Sequence, residues 1–319
     1  MRIPSPVLCV TIVAMAAASG CGPSPQTESD LSSSPGPPAR PVGWVDSLMR
    51  AMTLEEQAGQ LVGILSTGHY VSAESDEFLA LLRAVRENSV GALVIPQGDV
   101  YETAIMVDRL QTEARVPLLV TADLERGLAM RVRRGTYFPD AMALGATGKA
   151  EYAYEVGRAI AEEARALGIH QNFAPVADIN TNPSNPVINT RAFSDDRELV
   201  SAMVRAFVRG TEAGGLIATA KHFPGHGDTG TDSHLELPFL RLTRARLDTL
   251  ELVPFVAAIE AGVGSVMIGH LAVPSLEQGS REPASLSRWL ITDLLKGDLG
   301  YTGLIVSDAM EMQGVVRGY

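Results

Sequence analysis

The chain has 319 residues, of which 46% are hydrophobic and 20% charged, and its formal net charge is −11. This composition supports a large hydrophobic core and excludes a globally disordered chain. The acidic balance, with no basic run, argues against a nucleic-acid partner. Both cysteines, Cys9 and Cys21, lie in the first 21 residues, which excludes disulfides, thiolate metal sites and cysteine nucleophiles from the rest of the chain.

The amino-terminal segment 1–21 is typical of an export signal. It contains one basic residue, Arg2, then an apolar run that is too short for a stable membrane span. The sequence Ala-Ser-Gly-Cys that ends it is similar to a bacterial lipobox, which predicts lipidation of Cys21 and an exported, membrane-anchored lipoprotein. A cleaved signal with an incidental cysteine is the alternative.

Residues 22–43 are predicted to be an extended tether, because they contain six prolines and a run of three serines and cannot build a core. Residues 44–319 are predicted to form the folded part of the chain.

From residue 45 onward, short apolar runs alternate with longer amphipathic segments. The predicted strands are Gln60–Leu65, Ala92–Ile95, Leu118–Asp123, Asn172–Asp178, Ala218–Phe223, Ser265–His270 and Leu304–Asp308. Between them, helical spacing predicts the helices Glu151–Leu167, Asp195–Ala213 and Arg244–Ala261. The alternation indicates a parallel sheet covered by helices, either an open doubly wound sheet or a barrel.

Reactive side chains stand where the apolar runs end, which favours the barrel. In a (β/α)8 barrel all strand ends meet at one mouth, whereas an open sheet usually binds at a single switch point. The residues concerned are Asp123, Asp178, Lys221, His222, His270 and Asp308.

Seven strands are predicted instead of eight, and Asp308 lies eleven residues from the last residue printed. A complete barrel would need a further helix, strand and helix. We therefore expect a TIM-type barrel truncated after its seventh strand, with two unpaired strand edges. Such a chain is expected to be poorly active or unstable by itself.

The densest polar segment is 221–234, which holds three histidines, two aspartates and three glycines. Three interpretations are open for it. It could bind zinc or manganese through His and Asp ligands. It could be an acid/base loop in which Asp232 orients and polarises His234. It could also be a solvated turn.

This segment resembles the K-H-F-P-G-H-G-x4-D-[ST]-H signature of glycoside hydrolase family 3, in its β-N-acetylhexosaminidase branch. Segment 307–312 resembles the family's nucleophile motif S-D-x-x-x-M. Segment 123–131 resembles its D-x-E-G-G element and the arginine that follows, although Arg126 stands at the first glycine. Segments 189–193 and 283–287 are similar to its N-R-[SA]-F and P-A-[ST]-L-S elements.

The resemblance implies a TIM-type barrel and a retaining mechanism with a covalent glycosyl-enzyme intermediate, without a metal or organic cofactor. It implies that Asp308 is the nucleophile and that His234 is the acid/base, with Asp232 as its partner. The implied sugar-binding residues of the first subsite are Asp123, Arg131, Arg191, Lys221 and His222. Structural ion pairs are the alternative for both arginines, and His270 and Asp178 are left open between structural and functional roles.

The resulting hypothesis is an exo-acting β-N-acetylhexosaminidase that releases N-acetylglucosamine from peptidoglycan or chitin-type fragments. The alternatives within the family are a β-glucosidase and a phosphorylase. A metallohydrolase that uses His222, His226, Asp228 and His234 is an alternative of another class, as is a non-catalytic glycan-binding lipoprotein.

Overall fold

The computed structural model describes residues 10–14, 43–233, 235–277, 279–316 and 318. The predicted lipidation site Cys21, most of the predicted tether and the predicted acid/base His234 lie outside these residues.

Within the described ranges, eight strands form a closed barrel, and seven of them are parallel. In chain order the strands are β1 (Val10–Ala14), β2 (Val62–Leu65), β3 (Ala92–Val94), β4 (Gly98–Asp99), β5 (Leu119–Ala122), β6 (Val132–Arg133), β7 (Gln171–Asn172), β8 (Ile217–Phe223), β9 (Ser265–Ile268) and β10 (Leu304–Ser307). β4 and β6 form a separate two-stranded ladder. The seven predicted strands are all present, and the prediction of a TIM-type parallel barrel over an open sheet is confirmed.

The eighth place in the barrel is taken by β1, which runs antiparallel to both of its neighbours. It pairs Val10 with Ile64 on β2 and Val13 with Val306 on β10. Among the described residues, both edges of the parallel sheet are therefore paired, in contrast to the expectation of two unpaired strand edges. β1 lies within the segment that the sequence predicts to be an export signal, and that assignment stays a prediction.

The predicted fourth strand is much shorter than expected. Only Gln171 and Asn172 pair regularly, and a single bridge then joins Val176 to Lys221. Pro175 lies between them and has no N–H to donate to a ladder. The residues that follow are buried nonetheless, so their apolar pattern resembles that of a strand.

Helices cover the outside of the barrel. They are α1 (Trp44–Ala51), α2 (Leu54–Gly59), α3 (Asp76–Arg86), α4 (Val100–Glu113), α5 (Ala141–Gly145), α6 (Ala150–Ala166), α7 (Arg197–Ala213), α8 (Arg244–Arg246), α9 (Val253–Glu260) and α10 (Gln313–Val316). α7 begins after Asp196, whose side chain accepts a hydrogen bond from the N–H of Leu199, and it ends at Gly214. The predicted helix 244–261 is interrupted by a π-helical stretch at Leu247–Glu251, and a second one spans Trp289–Asp298.

The core has two main parts. A large cluster fills the space between the sheet and the helices, where α6 and α7 contribute Ile160, Val204 and Phe207. A small cluster inside the barrel includes Phe173 and Met267, which also line the cavity above it. The interior is thus filled by side chains, and the space that a ligand could enter lies at one end of the barrel. None of the helices in the described residues is both long and apolar enough to cross a membrane.

Candidate active site

A cavity of about 570 Å³ opens at the carboxyl ends of the barrel strands. It is lined by all five residues predicted to bind sugar and by the predicted nucleophile, namely Asp123, Arg131, Arg191, Lys221, His222 and Asp308. A volume of this size is typical of small-molecule sites. The structure therefore brings together residues that lie up to 185 positions apart in the sequence.

Lys221 is the centre of a buried charge network at the floor of this cavity. Its Nζ lies 2.8 Å from Oδ1 of Asp123 and 2.7 Å from Oε1 of Glu125, and its side chain is 2% exposed. Burial alone would lower the pKa of Lys221, but the two carboxylates raise it above its ordinary value. Lys221 is therefore a fixed cation that holds two acidic side chains in place.

Glu125 connects this lysine to Arg191. The Arg191 Nε donates to Oε2 of Glu125 at 3.0 Å, and its Nη2 donates to Oε1 at 2.7 Å. Burial would raise the pKa of Glu125, but Lys221 and Arg191 hold it far below its ordinary value. Arg131 adds one more pair, because its Nη2 donates to Oδ2 of Asp123 at 3.0 Å. Both arginines thus make ion pairs and also line the cavity.

The carboxylate of Asp178 holds the two histidines His222 and His226 at the other side of the cavity. Its Oδ2 lies 2.8 Å from Nδ1 of His222, and its Oδ1 accepts the backbone N–H of His226 at 2.6 Å. Asp178 is 1% exposed, so it acts on the site through these neighbours. This arrangement directs Nε2 of His222 away from Asp178, and that atom lies 3.5 Å from Nη2 of Arg191.

Asp308 stands directly after β10, where its backbone N–H donates to the carbonyl of Ile268 at 2.9 Å. Its Oδ1 accepts the N–H of Ala309 at 2.8 Å. Burial would raise the pKa of Asp308, but His222, the Ala309 N–H and Lys221 hold it below its ordinary value. An ionised carboxylate that lines a sugar-sized cavity has the protonation state that a nucleophile requires.

The loop 224–233 is tied to the floor of the cavity by His226 and Ser233, both of which are buried. Nε2 of His226 lies 3.1 Å from Oγ of Ser233, and Nδ1 lies 2.7 Å from Oγ1 of Thr229. The Ser233 carbonyl accepts the N–H of Gly314, at 3.2 Å, from the segment that follows Asp308. The side chain or backbone of Asp232, which precedes Ser233, also interacts with another group. Ser233 therefore links the predicted acid/base segment to the nucleophile segment.

The described residues of the alternative metal site, His222, His226 and Asp228, do not form a group that could hold a metal ion. Both ring nitrogens of His226 already make hydrogen bonds, to the hydroxyls of Ser233 and Thr229. Asp228 forms an ion pair with Arg246 at 2.9 Å. Among the residues that the structure describes, no three His, Cys, Asp or Glu side chains are grouped closely enough to hold a metal ion.

Arg126, which replaces a family glycine, makes contacts of its own. Its Nη1 donates to Oδ1 of Asp140 at 2.8 Å, and Oδ2 of that carboxylate accepts the hydroxyl of Thr190 at 2.9 Å. Thr190 directly precedes Arg191. The substitution therefore adds a bridge between the loop after β5 and the loop that carries a predicted sugar-binding residue.

The comparisons with known proteins agree with this geometry. The model of the glycosyl hydrolase family 3 N-terminal domain matches residues 53–319. The chain belongs to glycosyl hydrolase family 3. It is 36% identical, over 282 residues, to a β-N-acetylglucosaminidase/β-glucosidase from Cellulomonas fimi, an alignment that covers 86% of this chain and 49% of that protein.

Solved structures of similar proteins show the same fold. A β-N-acetylglucosaminidase from Paenibacillus sp. str. FPU-7 is 42% identical with a TM-score of 0.77, over 84% of this chain and 51% of that one. A β-glucoside phosphorylase, BglX, is 27% identical with a TM-score of 0.80, over 86% of this chain and 50% of that one. The chain thus spans about half the length of these relatives.

Three residues of this site, Glu125, Asp178 and Ser233, have no role assigned to them by the sequence. Glu125 was part of a recognised motif, and its acidic type beside Asp123 was a usable signal. Asp178 stands at a predicted strand end, which was the second signal. Ser233 stands at the [ST] position of the signature in segment 221–234, which is the third signal, although its partners His226 and Gly314 are fixed only by the folded loops.

Proposed function

We propose that this chain carries the catalytic barrel of a retaining, exo-acting β-N-acetylhexosaminidase. The observation that supports this most is the position of Asp308, an ionised carboxylate that shares one cavity with Asp123, Arg191, Lys221 and His222. A retaining glycosidase needs a carboxylate close to the anomeric carbon and hydrogen-bonding groups around the sugar ring.

In the proposed first step, the Asp308 carboxylate attacks the anomeric carbon and the bond to the leaving oxygen breaks. His234, partnered by Asp232, donates a proton to that oxygen. Water then attacks the glycosyl-Asp308 ester, His234 takes a proton from the water, and the carboxylate is released. An imidazole suits both roles because its ordinary pKa lies near neutral pH.

The charge network provides both kinds of partner that sugar hydroxyls need. Carboxylate oxygens of Asp123 accept hydrogen bonds, while Arg191 and Lys221 donate them. Because Lys221 and Glu125 hold each other in place, these groups need little reorganisation when a sugar binds. Bonds to ring hydroxyls that strengthen in the transition state lower the barrier further.

We further propose N-acetylglucosamine at the non-reducing end of peptidoglycan or chitin-type fragments as the substrate. The K-H-F-P-G-H-G-x4-D-[ST]-H match supports this sugar, as do two relatives that are named β-N-acetylglucosaminidases. The signal-like segment supports export and lipid anchoring through Cys21, which would put the enzyme next to cell-wall glycans. Cleavage before Cys21 would also remove β1, the strand that pairs with β2 and β10 in this structure.

A phosphorylase or a β-glucosidase is the second candidate. The likeness to a β-glucoside phosphorylase favours the first of these. The Cellulomonas relative, which is named both a β-N-acetylglucosaminidase and a β-glucosidase, favours the second. A histidine acid/base also tolerates an anionic acceptor better than a carboxylate would, because it adds no negative charge.

The test uses the full chain on 4-nitrophenyl N-acetyl-β-glucosaminide and on the matching β-glucoside, each with and without phosphate. The proposal predicts faster release from the first substrate, with no dependence on phosphate. Asp308→Asn should abolish this release, whereas Asp108→Asn, an exposed position on α4, should not change it. A preference for glucoside, phosphate-dependent release or no cleavage of either substrate would contradict the proposal.

A further inference from the structure

His270 is a buried histidine at the mouth of the barrel that the proposed reaction does not use. Its residue is 0% exposed, and it follows β9 by two positions. The last residue of that strand, Ile268, accepts the N–H of Asp308. The imidazole is therefore packed beside the turn that carries the proposed nucleophile.

The hydrogen bonds of His270 have a defined direction. Its Nε2 lies 3.0 Å from the carbonyl oxygen of Ala309, which can only accept, so Nε2 carries a hydrogen. Its Nδ1 lies 2.7 Å from Oγ of Ser285, whose hydroxyl donates to it when the ring is neutral. Burial lowers the pKa of His270, in agreement with a neutral ring.

Ser285 is itself held in place by the backbone. The N–H of Ala284 donates to the carbonyl of Leu271 at 2.7 Å, so the segment 283–287 runs beside the residue that follows His270. This backbone contact places the hydroxyl of Ser285, in the P-A-S-L-S segment, within hydrogen-bonding distance of Nδ1 of His270.

We propose that His270 is a positioning residue for the nucleophile: the Ala309 carbonyl fixes its Nε2–H tautomer, and the Ser285 hydroxyl, by donating to Nδ1, holds the ring in this orientation. Ala309 is then held at both ends, because its N–H donates to Oδ1 of Asp308 and its carbonyl accepts from His270. This inference rests on the proposed function, in which Asp308 attacks the anomeric carbon. Displacing a reacting group by about 1 Å can lower a rate on the order of a hundredfold.

The test begins with Ser285→Ala, which removes the hydrogen bond to Nδ1 and leaves the orientation of the His270 ring less constrained. A ring that can tilt no longer keeps the Ala309 carbonyl, and the turn that carries Asp308, in one position. We expect kcat/KM to fall about tenfold, equivalent to about 1.4 kcal/mol, and equally for aryl glycosides with good and poor leaving groups. The inhibition constant of N-acetylglucosamine, which reports binding without reaction, should change less than about twofold.

Two further variants and one spectrum separate positioning from a structural role. Ser285→Thr keeps the hydroxyl and should recover most of the lost rate, while Ser280→Ala, in the same loop, should have no effect. Nitrogen-15 NMR of histidine-labelled protein should show His270 protonated at Nε2 in both proteins, with a shifted Nδ1 resonance in Ser285→Ala because the hydrogen bond from the hydroxyl is lost. This readout needs no turnover.

An unmodified chain with His270 protonated at Nδ1 would overturn the proposal. So would an unchanged kcat/KM in Ser285→Ala, or a loss of rate matched by an equal loss of inhibitor binding and a lower Tm. An active Asp308→Asn variant would instead reject the proposed function, so the two failures are distinguishable.

Discussion

The Nζ of Lys221 lies 2.7 Å from Oε1 of Glu125, and these two residues lie 96 positions apart in the chain. The same carboxylate accepts two hydrogen bonds from Arg191. Removing one member of a buried ion pair leaves an uncompensated charge, which costs far more than breaking a surface pair. The Lys221–Glu125 pair therefore stabilises the mouth of the barrel. It also holds the groups that are proposed to bind a sugar in fixed positions.

Glu125→Gln is expected to lower the free energy of unfolding by about 3–5 kcal/mol near neutral pH. The matched control is Glu162→Gln, which breaks the exposed pair with Arg158 and should change stability by about 0.5 kcal/mol or less. Denaturant melts of the three proteins measure both values. Equal losses in the two variants would contradict the role given to Glu125.

The effect of Glu125→Gln should also depend on pH. The folded-state pKa of Glu125 lies below its ordinary value of 4.5, so its charged form stabilises the fold fully above that pH. The stabilisation is lost as the pH falls from 4.5 toward the folded-state pKa. The stability gap between the unmodified chain and Glu125→Gln should therefore be constant above about pH 6 and narrow below 4.5. A gap that widens on acidification would refute the assignment.

His234→Gln should act according to the leaving group. Without a proton donor, kcat/KM for a phenyl glycoside should fall about a hundredfold or more. A dinitrophenyl glycoside, whose leaving group needs no proton, should lose much less. His69→Gln, at an exposed histidine, serves as the control. A uniform loss across leaving groups would show that His234 is not the acid.

Ser233→Ala should show the same pattern more weakly. The variant loses the hydrogen bond between the side chains of residue 233 and His226, so the backbone next to His234 is held less firmly. We expect kcat/KM for poor leaving groups to fall about tenfold. Ser233→Thr keeps the hydroxyl and should recover most of the rate. If Ser233→Ala slowed good and poor leaving groups alike, the link to proton donation would be lost.

Chelation tests the metallohydrolase alternative. Asp228 is paired with Arg246, and His226 bonds to Thr229 and Ser233, so we expect EDTA to leave the rate unchanged. Activity that is lost with EDTA and restored by zinc would overturn the carboxylate mechanism.

Much of the fold could be predicted from the sequence because the parallel strands are local apolar runs. The limits of the fourth predicted strand were wrong because Pro175 interrupts a segment that is buried but only partly paired. The place of β1 could not be predicted, since it depends on pairing with Ile64 and Val306, which are distant in the chain.

The same division applies to the site. Motifs identified Asp308 and Lys221, because their residue types and spacing are specific. They could not show that Glu125 shares its carboxylate between Lys221 and Arg191, or that His270 touches the nucleophile turn. Those contacts depend on how separate loops meet at the barrel mouth, which no local pattern encodes.

The central claim is that Asp308 forms the covalent bond to the sugar. Its most direct test is to incubate the full chain with a slow fluorinated N-acetylglucosaminide, digest it and identify the labelled peptide by mass spectrometry. We predict a glycosyl adduct on Asp308, and no adduct in Asp308→Asn. An adduct on another residue, or none from a chain that turns the substrate over, would contradict the account.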